Sequence, residues 1–164
     1  MGVDLVKGGK KFNLNRRKVT STNLYLRLLL KLYKFLARRT DSGFNKVIAK
    51  RLAMSRNSRP PLSLKHIAKY MHGKESRTCV IVGSILDDPR LITVPHGLQI
   101  VALRVSETAR KRIEAAGGKV LTLDQFAQEN PTGKNTVLLR GKRTARESYK
   151  HFGPSPGAKH SHAR

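Results

Sequence analysis

The sequence predicts an α/β fold, and three features lead to that prediction. Between residues 78 and 139, short apolar segments rich in β-branched residues alternate with short helical patterns. Such alternation is typical of a sheet with at least partly parallel strands. Residues 22–73 instead show apolar residues at helical spacing, which indicates a helical region before the sheet. The third feature is charge, which is concentrated outside the α/β segment.

The charge is divided unevenly along the chain. The 164 residues contain 34 Lys and Arg against 10 Asp and Glu, a net charge of +24. Residues 78–141 hold only eight basic and six acidic side chains, so most of the excess lies elsewhere. A nearly neutral body with cationic extensions is typical of a protein that binds a polyanion, and nucleic acid is the usual one. We therefore predict four parts: an extended basic arm (1–20), a helical region (21–73), an α/β core (74–141) and an extended basic tail (142–164).

The first helix of the helical region is predicted to begin at Thr22, with Ser21 or Thr22 as its N-cap. Its charged residues share one stripe of the helix and are Arg27, Lys31, Lys34 and Arg38. The residues between them are apolar, so we expect most of the helix surface to be covered and the stripe to contact phosphates. A solvated stripe is the alternative, although like charges at these spacings repel one another in an isolated helix.

Two further helices are predicted in this region. One follows Asp41-Ser42, with a polar face that carries Asn45, Lys46, Lys50 and Arg51. The other begins at Ser63 and ends at Gly73. The segment between them contains Arg56, Asn57 and Arg59, followed by Pro60-Pro61. Paired prolines impose an extended path, from which these side chains can reach into a nucleic-acid groove.

In the α/β core, strands are predicted at 78–86, 91–94, 98–105, 120–123 and 136–139. The first of them is apolar throughout, which indicates burial on both faces. A helix capped by Ser106 is predicted to end at Gly117-Gly118, and Thr122 with Gln125 resembles a capping box for a short helix.

The lone cysteine and the lack of a long apolar segment indicate where in the cell the protein is expected. Cys79 lies in the apolar strand and is predicted to be a buried hydrophobe, not a nucleophile. One cysteine cannot form an intrachain disulfide, which favours a reducing compartment. The apolar stretch 24–36 is interrupted by three cations, so no membrane-spanning segment is expected. We therefore expect a soluble intracellular protein.

No catalytic, metal or cofactor site is predicted. The six carboxylates of the middle segment show no arrangement that resembles a catalytic pair or triad. Gly117-Gly118 follows a helix, whereas a phosphate-binding loop follows a strand and opens a helix. His66 and His72 lack further ligands at a useful spacing. We expect neither an enzyme nor a small-molecule substrate.

The basic tail interleaves aromatic rings with cations. Its rings are Tyr149, His151 and Phe152, and its cations include Lys142, Arg143, Arg146 and Lys150. Rings between cations can stack on unpaired bases while the charges follow the phosphates.

Several sequence runs, in order over essentially the whole chain, carry a family resemblance. They are Met1-Gly2-Val3-Asp4, Tyr25-Leu26-Arg27-Leu28-Leu29, Leu36-Ala37-Arg38-Arg39-Thr40, Met54-Ser55-Arg56, Arg59-Pro60-Pro61-Leu62-Ser63-Leu64, Val82-Gly83, Ala102-Leu103-Arg104-Val105, Ala116-Gly117-Gly118-Lys119, Thr136-Val137-Leu138-Leu139 and His151-Phe152-Gly153. In these runs the chain resembles the eukaryotic-type large-subunit ribosomal protein eighteen family, a relative of the bacterial large-subunit ribosomal protein fifteen. The resemblance implies an irregular strand-strand-helix superhelical body with RNA-bound extensions.

The residues and the resemblance together predict a structural, non-catalytic protein of the cytoplasmic large ribosomal subunit, with nucleolar passage during assembly. Its expected partners are large-subunit ribosomal RNA and neighbouring ribosomal proteins. The candidate RNA-binding residues are Lys10, Lys11, Arg16, Arg17, Lys18, Arg38, Arg39, Arg51, Arg56, Asn57, Arg59, Lys142, Arg143, Arg146, Tyr149 and His151. The alternative is a DNA-binding protein that uses residues 22–73 as a helix-turn-helix, although the Pro60-Pro61 connection does not match its tight turn.

Overall fold

A computed structural model describes residues 18–164 of the chain. The helices of this part are α1 (Leu24–Arg39), α2 (Gly43–Ala53), α3 (Leu64–Met71), α4 (Glu107–Ala115) and α5 (Leu123–Glu129). The strands are β1 (Leu62–Ser63), β2 (Thr78–Leu86), β3 (Gln99–Val105), β4 (Lys119–Leu121) and β5 (Thr136–Leu139). Short 3-10 turns cover Arg56–Ser58 and Glu147–His151. The predicted α/β class is therefore confirmed.

The five strands form one sheet in which every pairing is parallel. β2 lies in the middle, with β3 on one edge and β4 beyond it. On its other edge, β5 pairs with the start of β2 and β1 with its end, where Leu62 lies opposite Ile85. Because a parallel sheet has helices on its faces, its central strand is buried on both sides, as the apolar run of β2 predicted.

Two apolar layers cover the sheet, one on each face. Alternate residues of β2 point to opposite layers, so Val80 and Val82 join one core while Cys79 and Ile81 join the other. Helices α1, α2 and α5 pack on the first face, and α3 and α4 pack on the second. The helical region and the sheet therefore share a core, which fixes α1 and α2 relative to the strands.

Cys79 is completely buried in the second core. Burial raises the pKa of its thiol to about 12, so the thiol stays protonated at neutral pH. It packs as a small hydrophobic residue, as its position in the apolar strand predicted.

Helix α1 differs from the prediction at its start and on its surface. Its N-cap is Asn23, whose side-chain oxygen accepts a hydrogen bond from the Leu26 N–H at 3.2 Å. Within the described part, only Leu30 and Tyr33 of this helix are buried, while Tyr25 is 82% exposed. The chain itself thus covers one stripe of α1 and not most of its surface, because its packing partners lie on a single side.

Two other predictions were wrong in detail. Asn45 is buried, not part of an exposed polar face, because its amide donates to the Pro131 carbonyl at 2.8 Å and to Thr40 Oγ1 at 3.0 Å. Residues 91–94 form a loop and not a strand. The guanidinium of Arg112 donates to the carbonyls of Leu91 and Ile92, which takes up backbone groups that a strand would have paired.

The basic segments contain turns where the sequence predicts extended chain. The 3-10 turn Arg56–Ser58 comes before the paired prolines, and β1 directly follows them. In the tail, a second 3-10 turn ends at His151, and the Arg164 N–H donates to the Lys150 carbonyl at 2.7 Å. Residues 142–164 therefore turn back on themselves.

Candidate nucleic-acid interface

Six arginines from three separate segments lie together at the carboxyl ends of the central strands. We call them the arginine cluster: Arg51, Arg56, Arg59, Arg104, Arg140 and Arg146. Four of them, from three different segments, line one open groove, and these are Arg56, Arg59, Arg104 and Arg146. The other two share a smaller cavity with Arg59. In parallel sheets, this edge is where ligands commonly bind.

The segment that carries Arg56 and Arg59 owes its position to a 3-10 turn and to Pro60-Pro61. The Arg59 N–H donates to the Arg56 carbonyl at 3.1 Å, which closes the turn. Pro60 is buried, and the chain then enters β1 beside the end of β2. Because each proline ring fixes its own φ, the turn is held rigidly against the sheet.

The third segment, residues 140–146, docks onto this turn through its arginines. Arg140 donates from Nη2 to the Ser58 carbonyl at 2.8 Å, and Arg146 donates from Nη2 to the Asn57 carbonyl at 2.6 Å. Gly141 lies between them, and a Cβ there would stand 2.9 Å from the Pro61 carbonyl oxygen. A residue with a side chain would push the two segments apart, so the close crossing requires glycine.

In the described part of the chain, no carboxylate forms an ion pair with an arginine of the cluster. Six carboxylates there pair with other cations, in Lys46–Asp41, Arg90–Asp88, Arg110–Glu114, Arg112–Asp87, Lys119–Glu129 and Lys150–Glu147. None of these pairs includes an arginine of the cluster. Packing like charges together without counter-charges is unfavourable, so the arrangement favours an external anion.

Partial burial of the cluster further favours binding of an external anion. It lowers the pKa of Arg59, and burial followed by the nearby charge of Arg140 lowers the pKa of Arg51. Both groups stay charged at neutral pH, because the pKa of arginine begins above about 12. The Nε atoms of Arg59 and Arg146 are buried and have no hydrogen-bond partner among residues 18–164. Buried donors without partners are costly.

A larger groove adjoins the cluster, and we call it the α1 groove. Its volume is about 670 Å³. One wall is the first half of α1, with Tyr25, Leu28 and Leu29. Arg56, Arg59 and Arg104 also line the groove, together with residues 122–124. The groove thus combines an apolar wall with a cationic one.

The predicted RNA-binding residues divide into three groups. Those that the structure brings together are Arg51, Arg56, Asn57, Arg59 and Arg146. Those elsewhere in the described part are Lys18, Arg38, Arg39, Lys142, Arg143 and His151, which are exposed, and Tyr149, which is half-buried. Lys10, Lys11, Arg16 and Arg17 lie outside the described residues. Their roles in binding stay predictions.

Outside the cluster, two of the predicted cations lie against aromatic rings. The guanidinium carbon of Arg39 is 5.7 Å from the centre of the Phe35 ring, at the end of α1. That of Arg143 is 5.7 Å from the centre of the Tyr149 ring. Tyr149 is half-buried, and Arg143 already lies over its ring.

Sequence reasoning missed Arg104 and Arg140, because both lie in the segment with nearly balanced charge. Each of them follows an apolar strand run, at the carboxyl end of β3 or directly after β5. An exposed cation at that end of a parallel strand is the signal that could have identified them.

Other kinds of site find no support in the described residues. No group of His, Cys, Asp and Glu among residues 18–164 could hold a metal ion. In the same part of the chain, no helix has the length and apolar character needed to cross a membrane.

Comparison with known proteins identifies the family. The family model for ribosomal protein 60S L18 and 50S L18e matches residues 2–164. The chain belongs to this family. It is therefore a structural protein of the large ribosomal subunit and not an enzyme, in agreement with the resemblance found in the sequence.

Similar proteins of the L18 family extend over nearly the whole chain. The large ribosomal subunit protein eL18 of Diaphorina citri is 52% identical over 100% of this chain and 87% of its own length. That of Cicer arietinum is 53% identical over 98% of the chain and 87% of its own length. That of Drosophila pseudoobscura pseudoobscura is 54% identical over 92% of the chain and 80% of its own length.

Proposed function

We propose that this L18-family chain stabilises folded large-subunit ribosomal RNA by binding its phosphates through the arginine cluster. The observation that carries the proposal is a cluster of six arginines with no ion-paired carboxylate in the described part of the chain. Phosphates of RNA supply the missing charge, and their oxygens accept hydrogen bonds from guanidinium groups in pairs.

The cluster lies on a rigid support, which suits a structural role. Its segments are fixed by the parallel sheet, by Pro60-Pro61 and by the crossing at Gly141. Cations held in this way lose little further conformational freedom when they bind, so more of the interaction free energy is retained. RNA strands that contact several of these arginines at once are held in one relative position.

The remaining predicted residues are proposed to bind the same RNA. We propose that they contact phosphates or unpaired bases, and they are Lys10, Lys11, Arg16, Arg17, Lys18, Arg38, Arg39, Lys142, Arg143, Tyr149 and His151. Neighbouring ribosomal proteins are proposed to cover the exposed apolar residues of α1 near Phe35, which is 46% exposed. The protein would pass through the nucleolus during assembly and work in the cytoplasm.

Salt-dependent binding to transcribed large-subunit ribosomal RNA tests the role of the cluster. We would compare the wild type with the triple variant Arg56→Gln, Arg104→Gln, Arg140→Gln, all exposed positions. The matched control is Arg110→Gln, Lys111→Gln, Lys119→Gln, which removes the same charge from exposed positions outside the cluster. Circular dichroism would verify that each variant is folded.

The two variants should differ in how steeply binding depends on salt. Each phosphate contact contributes a slope of about 0.7–0.9 in log affinity against log salt. The cluster variant should therefore lose about two units of slope, and the control less than one. Equal slopes for the two variants would contradict the proposed interface.

Assembly is tested by sedimentation of the tagged chain in a cell extract. The wild type should travel with large subunits and assembled ribosomes, and the cluster variant should shift toward the top of the gradient. A cluster variant that enters large subunits as well as the control does would show that other residues carry the binding.

A further inference from the structure

We infer that the α1 groove receives a single unpaired nucleotide of RNA, with its base on the apolar wall of α1 and its flanking phosphates on Arg56, Arg59 and Arg104. The inference rests on the proposed function, because it names what part of an RNA the surface next to the cluster recognises. It concerns a pocket for a base, whereas the cluster alone would hold any suitably placed phosphates.

The walls of the groove differ in chemistry, and each matches one part of a nucleotide. Leu28 is 48% exposed and Tyr25 is 82% exposed on the α1 side. Arg56, Arg59 and Arg104 line the same groove and also the neighbouring groove of the cluster. A base offers an apolar π-face, and its neighbouring phosphates offer charge, so a nucleotide complements both walls at once.

The apolar wall is the reason for proposing an unpaired nucleotide and not a paired helix. In an A-form helix the bases are stacked and paired, and the accessible surface consists mainly of phosphates and 2′-hydroxyls. Such a surface would leave the exposed Leu28 and Tyr25 without a suitable contact. A base that has left the helix can cover them, and proteins commonly recognise such bases by stacking.

The groove has the space that this ligand needs. Its volume of about 670 Å³ lies within the range of ligand sites, which is about 300–1,000 Å³. Gly83 and Ser84 of β2 line the strand side of the groove.

Asp124 sets the orientation of the nucleotide. This exposed carboxylate lines the groove and forms no ion pair with a described cation. It repels phosphate and accepts hydrogen bonds from base amino groups. The phosphates therefore lie on the arginines, and the base edge points toward Asp124.

Binding of two RNA hairpins by the purified full chain tests the inference. One hairpin carries a single bulged 2-aminopurine nucleotide, and the other has the same stem with no bulge. Fluorescence anisotropy gives both affinities, and 2-aminopurine emission reports whether the base enters a new environment. We expect the bulged hairpin to bind about tenfold more tightly, because stacking one base contributes on that order.

The variant Tyr25→Ala, Leu28→Ser removes the apolar wall at exposed positions and so preserves the core. It should lower the affinity for the bulged hairpin to that for the paired one and abolish the change in emission. The matched control is Ile92→Ser, which removes an apolar side chain that is 91% exposed and lies outside the groove. This control should keep the full preference.

The outcomes separate this inference from the proposed function. Equal affinity of the wild type for both hairpins would overturn the nucleotide pocket and leave phosphate binding by the cluster in place. It is also the result expected if a neighbouring protein fills the groove instead. A preference that survives in the double variant would overturn the inference too. Failure of both hairpins to bind at low salt would refute the proposed function together with it.

Discussion

Arg146 donates a hydrogen bond from Nη2 to the Asn57 carbonyl oxygen at 2.6 Å, across 89 residues of sequence. This contact joins the carboxyl-terminal tail to the 3-10 turn that carries Arg56. It explains why a segment with little regular structure has a defined place beside the sheet. A charged donor on a backbone acceptor is among the stronger hydrogen bonds in proteins.

Arg146→Gln should loosen the tail without unfolding the body. The variant loses the contact with Asn57, whereas the two cores contain no residue of the tail. We expect trypsin to cleave after Lys142 or Arg143 several times faster, with little change in melting temperature. Lys159→Gln, an exposed tail position, is the control and should leave the cleavage rate unchanged. Equal rates for all three proteins would mean that Arg146 does not hold the tail.

Asp88→Asn should reduce the dependence of stability on acid pH. Asp88 is only 3% exposed, and hydrogen bonds from Arg90 hold the pKa of its carboxyl well below the usual range. Its unfolded-state pKa is about 3.9, so the charged form stabilises the fold above that pH. This stabilisation is lost as the pH falls toward the folded-state pKa.

Thermal melts between pH 3 and 7 would measure this effect. The wild type should lose stability steeply below about pH 4, and Asp88→Asn should be less stable at pH 7 with a flatter profile. Asp41→Asn is the control, because Asp41 is also paired, with Lys46, but is exposed and should matter little. Identical profiles for the Asp88 variant and the wild type would contradict the prediction.

Tyr33→Phe should destabilise the contact between α1 and α5 by about 1–2 kcal/mol. The Tyr33 hydroxyl is buried and donates to the Leu123 carbonyl at 2.8 Å. Urea denaturation would measure the loss. Tyr70→Phe, at a side chain that is 39% exposed, should change the free energy of unfolding much less. A Tyr33 variant as stable as the wild type would show that the hydrogen bond contributes nothing net.

Tyr33 should also limit stability in alkali. Burial, and then the charge of Asp124, raises the pKa of Tyr33 above its usual value. The unfolded chain ionises this group at about pH 10, so stability is full below that pH and declines above it. The decline should be shallower in Tyr33→Phe, as measured by urea denaturation between pH 8 and 11. If the free energy of unfolding falls equally in the wild type and in Tyr33→Phe, groups other than Tyr33 cause the loss of stability.

Gly133→Ala should be more destabilising than Gly117→Ala, although both glycines have φ of +71°. A Cβ at Gly133 would meet the Phe44 ring at 2.1 Å, whereas one at Gly117 would have no atom within 4 Å. Both variants incur left-handed strain of about 1–2 kcal/mol. In Gly133→Ala, overpacking should lower the free energy of unfolding by a further ~1–3 kcal/mol. Equal losses in urea denaturation would mean that the ring moves aside freely.

Much of the fold could be predicted from local patterns. The apolar run of β2 and the capping box at Thr122 and Gln125 both form as the sequence indicated. These features depend on neighbouring residues, so spacing alone reveals them. Exceptions such as Asn45 and residues 91–94 depend on partners far away in sequence, namely Pro131 and Arg112. No local pattern contains such contacts.

The candidate site was predictable only in part for the same reason. Arg56 and Arg59 stand out because they precede two prolines, and Arg146 because it lies in a cationic tail. Arg104 and Arg140 have no such context, and only the pairing of β2 with β3 and β5 brings them to the same edge. The net charge of a sequence segment therefore does not reveal cations that the strand order brings together from different segments.

The assembly of the cluster from three stretches of chain has a consequence for biosynthesis. During translation, Arg56 emerges long before Arg140 and Arg146, and β5 is the last strand to join the sheet. The cluster is therefore complete only after β5 has paired with β2 and residues 140–146 have docked on the 3-10 turn.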